Sequence, residues 1–249
     1  MNKHILAAAA AVAMPGAASA AESVAPDYMQ RAAPALARYT DNVLFGDVWK
    51  REELSPRDRS VVTLSVLVST GKSAQIRPHL ERALDNGVTP AEIGGLITQL
   101  AFYSGWPNAV SAVQIADEVF QERGIEASAI QPATTPLNDK PANDGQRENA
   151  VNNGVGQIAP TLGEMTNEVL FDELWLRQDL APRDRSLVTI VALTASGDAD
   201  QLGFHLQRGI ENGLTKAELG AAMGHLAFYA GWPKAFSGAT ALGKLGNGN

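Results

Sequence analysis

The sequence predicts an all-α protein assembled as a tandem duplication of one helical unit, and three observations carry the prediction. The ten residues Leu54–Thr63 recur as Leu180–Thr189 with eight identities. One offset of 126 residues, Arg59 to Arg185, also carries His79 onto His205, Glu92 onto Glu218 and Leu100–Pro107 onto Leu226–Pro233. A constant offset leaves no net insertion between those landmarks. Apolar residues in both copies recur at helical spacing between proline starts and glycine stops, the punctuation of helices.

The first stretch stands apart from the repeats. Lys3 supplies a positive start, Ile5–Ala13 an apolar run and Ala18-Ser19-Ala20 a small-residue cleavage site, the three parts of a secretory signal. Residues 1–20 are therefore expected to be a signal peptide and the protein to be periplasmic or secreted. The apolar run is too short to span a bilayer, and no later run is long enough. The first repeat is assigned to residues 24–126, a linker to 127–150 and the second repeat to 151–246.

Within the first repeat, Leu36, Tyr39, Val43, Leu44 and Trp49 form an apolar stripe that predicts an entry helix. Leu162, Met165, Val169, Leu170 and Leu174 repeat it before Trp175. Ser55-Pro56 then starts a helix with a hydroxyl cap and proline at its first position. Val61–Val68 is apolar almost all round, the mark of a central helix, and Gly71 stops it. Ser73–Asn86 is the next helix, closed by Asn86-Gly87; Pro78 inside it is expected to bend or shorten it, and the second copy has Phe204 there. Thr89-Pro90-Ala91-Glu92 and Thr215-Lys216-Ala217-Glu218 read as capping boxes for helices running to Ser104 and Ala230. Trp106-Pro107 and Trp232-Pro233 open the last helix of each copy, with both tryptophans expected in core or interface packing. The stretch 131–149 is rich in Pro, Asn, Asp and Thr, the composition of a linker.

Composition narrows the function. The net charge of −7 comes without a basic run, which argues against a nucleic-acid or anionic-membrane partner. Cysteine is absent, which removes disulfides, thiolate metal sites and every cysteine nucleophile.

These motifs resemble the carboxymuconolactone decarboxylase family, which also contains alkylhydroperoxidase D-like proteins. The carrying residues are Leu54-Ser55-Pro56-Arg57-Asp58-Arg59-Ser60, the run from His79 through Gly87 to Glu92, and Leu100–Pro107, each written again in the second copy. The resemblance implies an alkylhydroperoxidase D-like helical unit, here as a pseudo-two-fold pair, and usually a homo-oligomer. Peroxidase-type members use a Cys-x-x-Cys pair before the histidine matching His79, so the lack of cysteine excludes that chemistry. Decarboxylase-type members imply a cofactor-free lyase acting on a small carboxylated lactone or related acid, with histidine as acid/base. A non-catalytic binding or assembly protein of the same fold is the alternative.

The candidate proton carriers are His79, His205 and His225, since imidazole titrates near neutrality; satisfied helix histidines are the bland alternative. His205 lies eight residues before Gly213 and His225 ten after Thr215. On antiparallel helices the two reach similar depths and are expected to face one another. Copy one has Gln99 where copy two has His225, and the decarboxylases look to have histidine there. The site is therefore expected in copy two, with Arg185 (Arg59 in copy one) anchoring the substrate carboxylate or, alternatively, stapling helices. Glu92 and Glu218 are either general bases or capping residues. Two histidines and a carboxylate could bind a metal, but no tight ligand motif is present, and no metal is assigned.

Overall fold

A computed structural model of the chain describes residues 23–130 and 132–246. The expected signal peptide lies outside the described residues. The chain divides into two compact units, Met1–Asp47 and Val48–Asn249. The first holds α1 (Asp27–Ala32), α2 (Pro34–Tyr39) and a π-helical turn, Thr40–Leu44. Its anchor is Asp41, whose carboxylate accepts from the Ser23 hydroxyl at 2.6 Å and from the Val24 and Ala25 amides at 2.9 Å.

The second unit contains the helical cores of both repeats. In the first copy these are α3 (Pro56–Ser69), α4 (Ser73–Asp85), α5 (Pro90–Ser104) and α6 (Trp106–Glu122). After α7 (Asp144–Asn153), α8 (Val155–Ile158) and α9 (Pro160–Met165) come their counterparts: α10 (Pro182–Ser196), α11 (Leu202–Glu211), α12 (Lys216–Ala230) and α13 (Trp232–Lys244). Among the described residues there is no strand, only an isolated bridge between Leu137 and Arg177, and no helix is long and apolar enough to cross a membrane.

The two copies of the opening motif form the middle of this unit. Every residue of α3 from Asp58 to Ser69, and of α10 from Asp184 to Ala195, is buried. Helix α3 packs on α10, α5 packs on α10, and α12 reciprocally packs on α3. That exchange of partners is the signature of a two-fold relation. At its centre Arg57 binds Asp184 (2.7 Å) while Arg183 binds Asp58 (2.8 Å). The repeated Arg-Asp motif thus ties one repeat to the other.

Local signals act as the sequence predicts at most helix ends. Ser55 accepts the Asp58 amide, both capping boxes are formed, and Gly71 and Gly87 adopt positive φ. Four expectations change. Pro78 does not shorten α4, which runs unbroken from Ser73 to Asp85, whereas α11, which lacks the proline, is preceded by a 3-10 turn. Neither entry segment is one helix: the first is α2, the π-turn and a 3-10 turn (Val48–Lys50), and the second is α8, α9, a π-turn (Thr166–Phe171) and a 3-10 turn (Leu174–Leu176). Part of the linker is ordered: Asn138 N–H donates to Leu176 O, Arg177 Nη1 donates to Ala133 O, and α7 begins at Asp144. Helix α7 forms there because Asp144 and Arg147 make a double hydrogen bond and Arg147 reaches Asn167 and the Phe171 face, contacts that composition cannot reveal. Lastly, Trp106 and Trp232 are not core residues: they are 57% and 53% exposed, and each meets a Phe ring of its own repeat, Phe102 or Phe228.

Candidate active site

The histidines assemble across the repeats rather than within one. His79 on α4 stacks on Trp49 (6.0 Å between ring centres) and meets Tyr229 edge-on at 5.3 Å. His225 on α12 meets the same two rings, at 5.1 Å from Trp49 and 5.3 Å from Tyr229. His205 instead lies against Trp175, Tyr103 and Phe204. The expected facing of His205 and His225 is therefore corrected: each repeat gives its α4-type helix to one cluster and its α5-type helix to the other. Because α5 packs on α10 and α12 on α3, the second histidine of a cluster must come from the opposite repeat.

The His79–His225 cluster stands on α3. Thr63 Oγ1 donates to the Arg59 carbonyl (2.9 Å) and lies 2.8 Å from His225 Nε2. A hydroxyl has one proton to give, so His225 is the donor in the second bond and carries its proton on Nε2. Its Nδ1 is buried without a partner, as is the Nδ1 of His79. Trp49 Nε1 donates to Tyr229 Oη at 2.9 Å, and Thr63 is a further hydrogen-bond partner of the phenol. Burial holds the Tyr229 hydroxyl up at about 12. Burial also holds His79 down at about 4, aided by Arg82, and His225 at about 3, aided by Arg59 and then His79. Both imidazoles are thus neutral near pH 7.

Arg59 completes this cluster. It is 2% exposed, donates to the Arg51 carbonyl, leaves Nε unpartnered, and makes no ion pair among the described residues. Glu53 acts on it only at a distance. A buried guanidinium without a carboxylate is costly unless something anionic visits it.

The pseudo-symmetric cluster is closed by its own side chains. Gln99 Nε2 donates to Thr189 (2.9 Å) while Arg185 Nη1 donates to Gln99 Oε1 (2.8 Å). Arg185 also binds Asp179 at 2.6 Å and the Arg177 carbonyl at 3.0 Å. Trp175 Nε1 donates to Tyr103 Oη at 2.8 Å. His205 is buried under Phe204 and held at about 3 by that burial and by Arg208. Arg185 is therefore occupied, and the arrangement expected for copy two does not form there.

Glu92 and Glu218 belong to neither cluster. Each accepts its threonine cap's amide, at 2.8 and 2.7 Å, and an arginine of the central network, Arg57 at 2.5 Å or Arg183 at 2.6 Å. Against the burial that would raise it, Glu218 is lowered to about 2 by Thr215 and Arg183. A carboxylate so committed is a poor base, so the capping reading replaces the catalytic one. Thr63, Tyr229 and Trp49 were not legible as site residues; the only signal was their recurrence as Thr189, Tyr103 and Trp175. Among the described residues no group of three or more His, Asp or Glu is placed to hold a metal.

The model of the carboxymuconolactone decarboxylase family matches residues 34–118 and again 160–244. The chain belongs to that family. Over 86 residues it is 40% identical to the 4-carboxymuconolactone decarboxylase of Acinetobacter baylyi, a match covering 34% of this chain and 64% of that protein. Over 78 residues it is 28% identical to the nitrosuccinic acid decarboxylase npaB of Metarhizium robertsii, covering 31% and 54%. An uncharacterized 15.0 kDa protein of Paracoccus denitrificans is 29% identical over 100 residues, covering 39% and 75%. The chain thus spans less than two thirds of the two decarboxylases it matches. These family relations support a decarboxylase-like function.

Proposed function

We propose that this family member is a cofactor-free carboxy-lyase acting on a small carboxylated lactone or related acid, and that its working site is the His79–His225 cluster. The observation that carries the reading is a buried Arg59 without an ion pair, beside two neutral histidines whose Nδ1 atoms have no partner. Arg59 would hold a substrate carboxylate through its free edge. Placing that anion beside the imidazoles relieves the repulsion from Arg59 and raises their affinity for a proton. As the carboxylate C–C bond breaks, its electron pair passes into the unsaturated system and CO₂ leaves. The protonated histidine then delivers H⁺ to the carbon, so atoms and charge balance. Tyr229 and Thr63 orient His225 rather than react.

The test is CO₂ release from 4-carboxymuconolactone and from nitrosuccinate, the acids named by the relatives. Release by the wild type, lost in His225→Gln and Arg59→Gln, is expected; release that survives both changes overturns the site. A non-catalytic binding protein is the second reading, favoured by the occupied cluster around Arg185, and saturable binding of either acid without CO₂ release selects it. The composition of residues 1–20 supports export as part of the same proposal. Intact-mass measurement should find a mature chain beginning near Ala21 outside the cytoplasm.

A further inference from the structure

Arg208 is used by neither cluster's hydrogen bonding. It is 8% exposed, yet among the described residues its guanidinium makes no hydrogen bond. Three rings surround it instead, with centres 4.7 Å (Trp175), 5.2 Å (Phe171) and 5.6 Å (Phe204) away. Rings occupy the faces of a guanidinium and leave its N–H edge to donate. Its single ion-pair partner, Asp144, stands at 3.8 Å, beyond hydrogen-bonding range. Asp144 is held there by Arg147, whose Nε and Nη2 bind both carboxylate oxygens at 3.0 and 2.7 Å.

Arg208 lines a cavity of about 760 Å³ between α11 and the segment from Pro141 into α7. Arg208, Phe204, Arg147, Asp144 and Ala150 are among its lining residues. Asp144 and Arg147 neutralise each other, which leaves Arg208 as the uncommitted buried charge on the wall. Glu211 also lines the cavity but is exposed and bonded by Gln207 at 3.0 Å. Phe204 supplies an apolar face next to the guanidinium. Copy one has Pro78 at the Phe204 position, so this wall belongs to the second repeat alone.

We propose that this cavity is a second ligand site, for a small carboxylate with an apolar body, its carboxylate on the Arg208 edge and its body on Phe204. The site is independent of the decarboxylase reading, since it shares no residue with the His79–His225 cluster. Benzoate is a suitable probe, with uncharged benzamide as its control, and the tryptophan emission of the full-length protein as readout, because Trp175 stacks on Arg208.

Saturable benzoate binding at millimolar concentrations is expected, weakened at least about tenfold, or ~1.4 kcal/mol, in Arg208→Gln. Ala150→Trp fills the cavity from α7 without touching the guanidinium and should abolish binding with the fold intact, which decides the matter if Arg208→Gln fails to fold. Arg59→Gln and His225→Gln should bind benzoate as the wild type does. No saturable binding, equal binding of benzamide, or binding retained in Ala150→Trp each overturns the proposal. Loss in Arg59→Gln alone would place the benzoate in the other cluster and overturn it equally.

Discussion

The clusters around His79 and His205 are built on matching residues, and they differ at three positions. Where one has His225, Glu53 and Pro78, the other has Gln99, Asp179 and Phe204. Asp179 is 2% exposed at its side chain and grips Arg185; Glu53 is 58% exposed and leaves Arg59 without an ion pair. Gln99 uses both ends of its amide, one on Thr189 and one on Arg185, whereas His225 uses Nε2 and keeps Nδ1 open. Arg185 Nε and His205 Nδ1 are as unpartnered as Arg59 Nε and His79 Nδ1, so the lesson is narrower: the Asp179 and Gln99 substitutions commit one arginine to an ion pair and an amide, and their counterparts leave the other without either. Duplication allows this, because one copy can be stabilised while the other stays poised.

The most severe way to break the comparison is kinetic. In the CO₂-release assay His225→Gln should lower turnover by ~10²–10⁴-fold, the usual worth of a general acid–base step, while His205→Gln changes it little. The opposite pattern would move the chemistry to the closed cluster.

Stability sharpens the contrast from the other side. Asp179→Ala strands a buried guanidinium and should cost about 3–5 kcal/mol; Glu53→Ala removes an exposed charge and should cost under ~1 kcal/mol. Urea unfolding of the two variants measures both. Equal costs would mean that Arg59 and Arg185 are equally supported.

Acid should act on both clusters alike. His79, His205 and His225 have folded values of about 4, 3 and 3, below the ordinary imidazole value of 6.5, because burial disfavours their charged forms. Between those values the unfolded chain binds more protons, so stability falls as pH drops from 6.5 towards 3. Glu218, lowered to about 2, adds a loss below 4.5 with the same sign. The loss should be on the order of kcal/mol per histidine. Melting temperatures recorded from pH 7 to pH 4 test it, and replacing all three histidines by Gln should flatten the profile above pH 4.5.

The smallest effect lies at a helix start. Ala181 caps α10 with no side-chain bond, on a backbone close to that of Ser55 (φ −56°, ψ 144° against −63°, 154°). Ala181→Ser should therefore stabilise by about 1 kcal/mol, read from the urea midpoint. No gain would show that the two starts are not equivalent.

Much of the fold could be read from residue order, because its determinants are local. Ser55-Pro56, the Thr-x-x-Glu boxes and Gly87 act on neighbours within a few positions, and a helix apolar on every side has nowhere to go but the middle. The repeat itself announced a two-fold pair. Helix α7 escaped this reading, since Asp144 and Arg147 become a helix start only by docking on Asn167 and Phe171.

The site divides in the same way. Sequence by itself determined which residue types exist to do chemistry: the histidines and arginines of the repeated motifs, no cysteine, and the mismatch of Gln99 with His225. Which histidine meets which was decided only by the tertiary structure. Spacing along one chain measures depth within a helical hairpin but not which hairpin's face is opposite, and here α12 crosses to α3 while α5 crosses to α10. His225 therefore meets His79, 146 residues away in sequence, instead of His205 at twenty, because burying both central helices requires each repeat to be closed by the other.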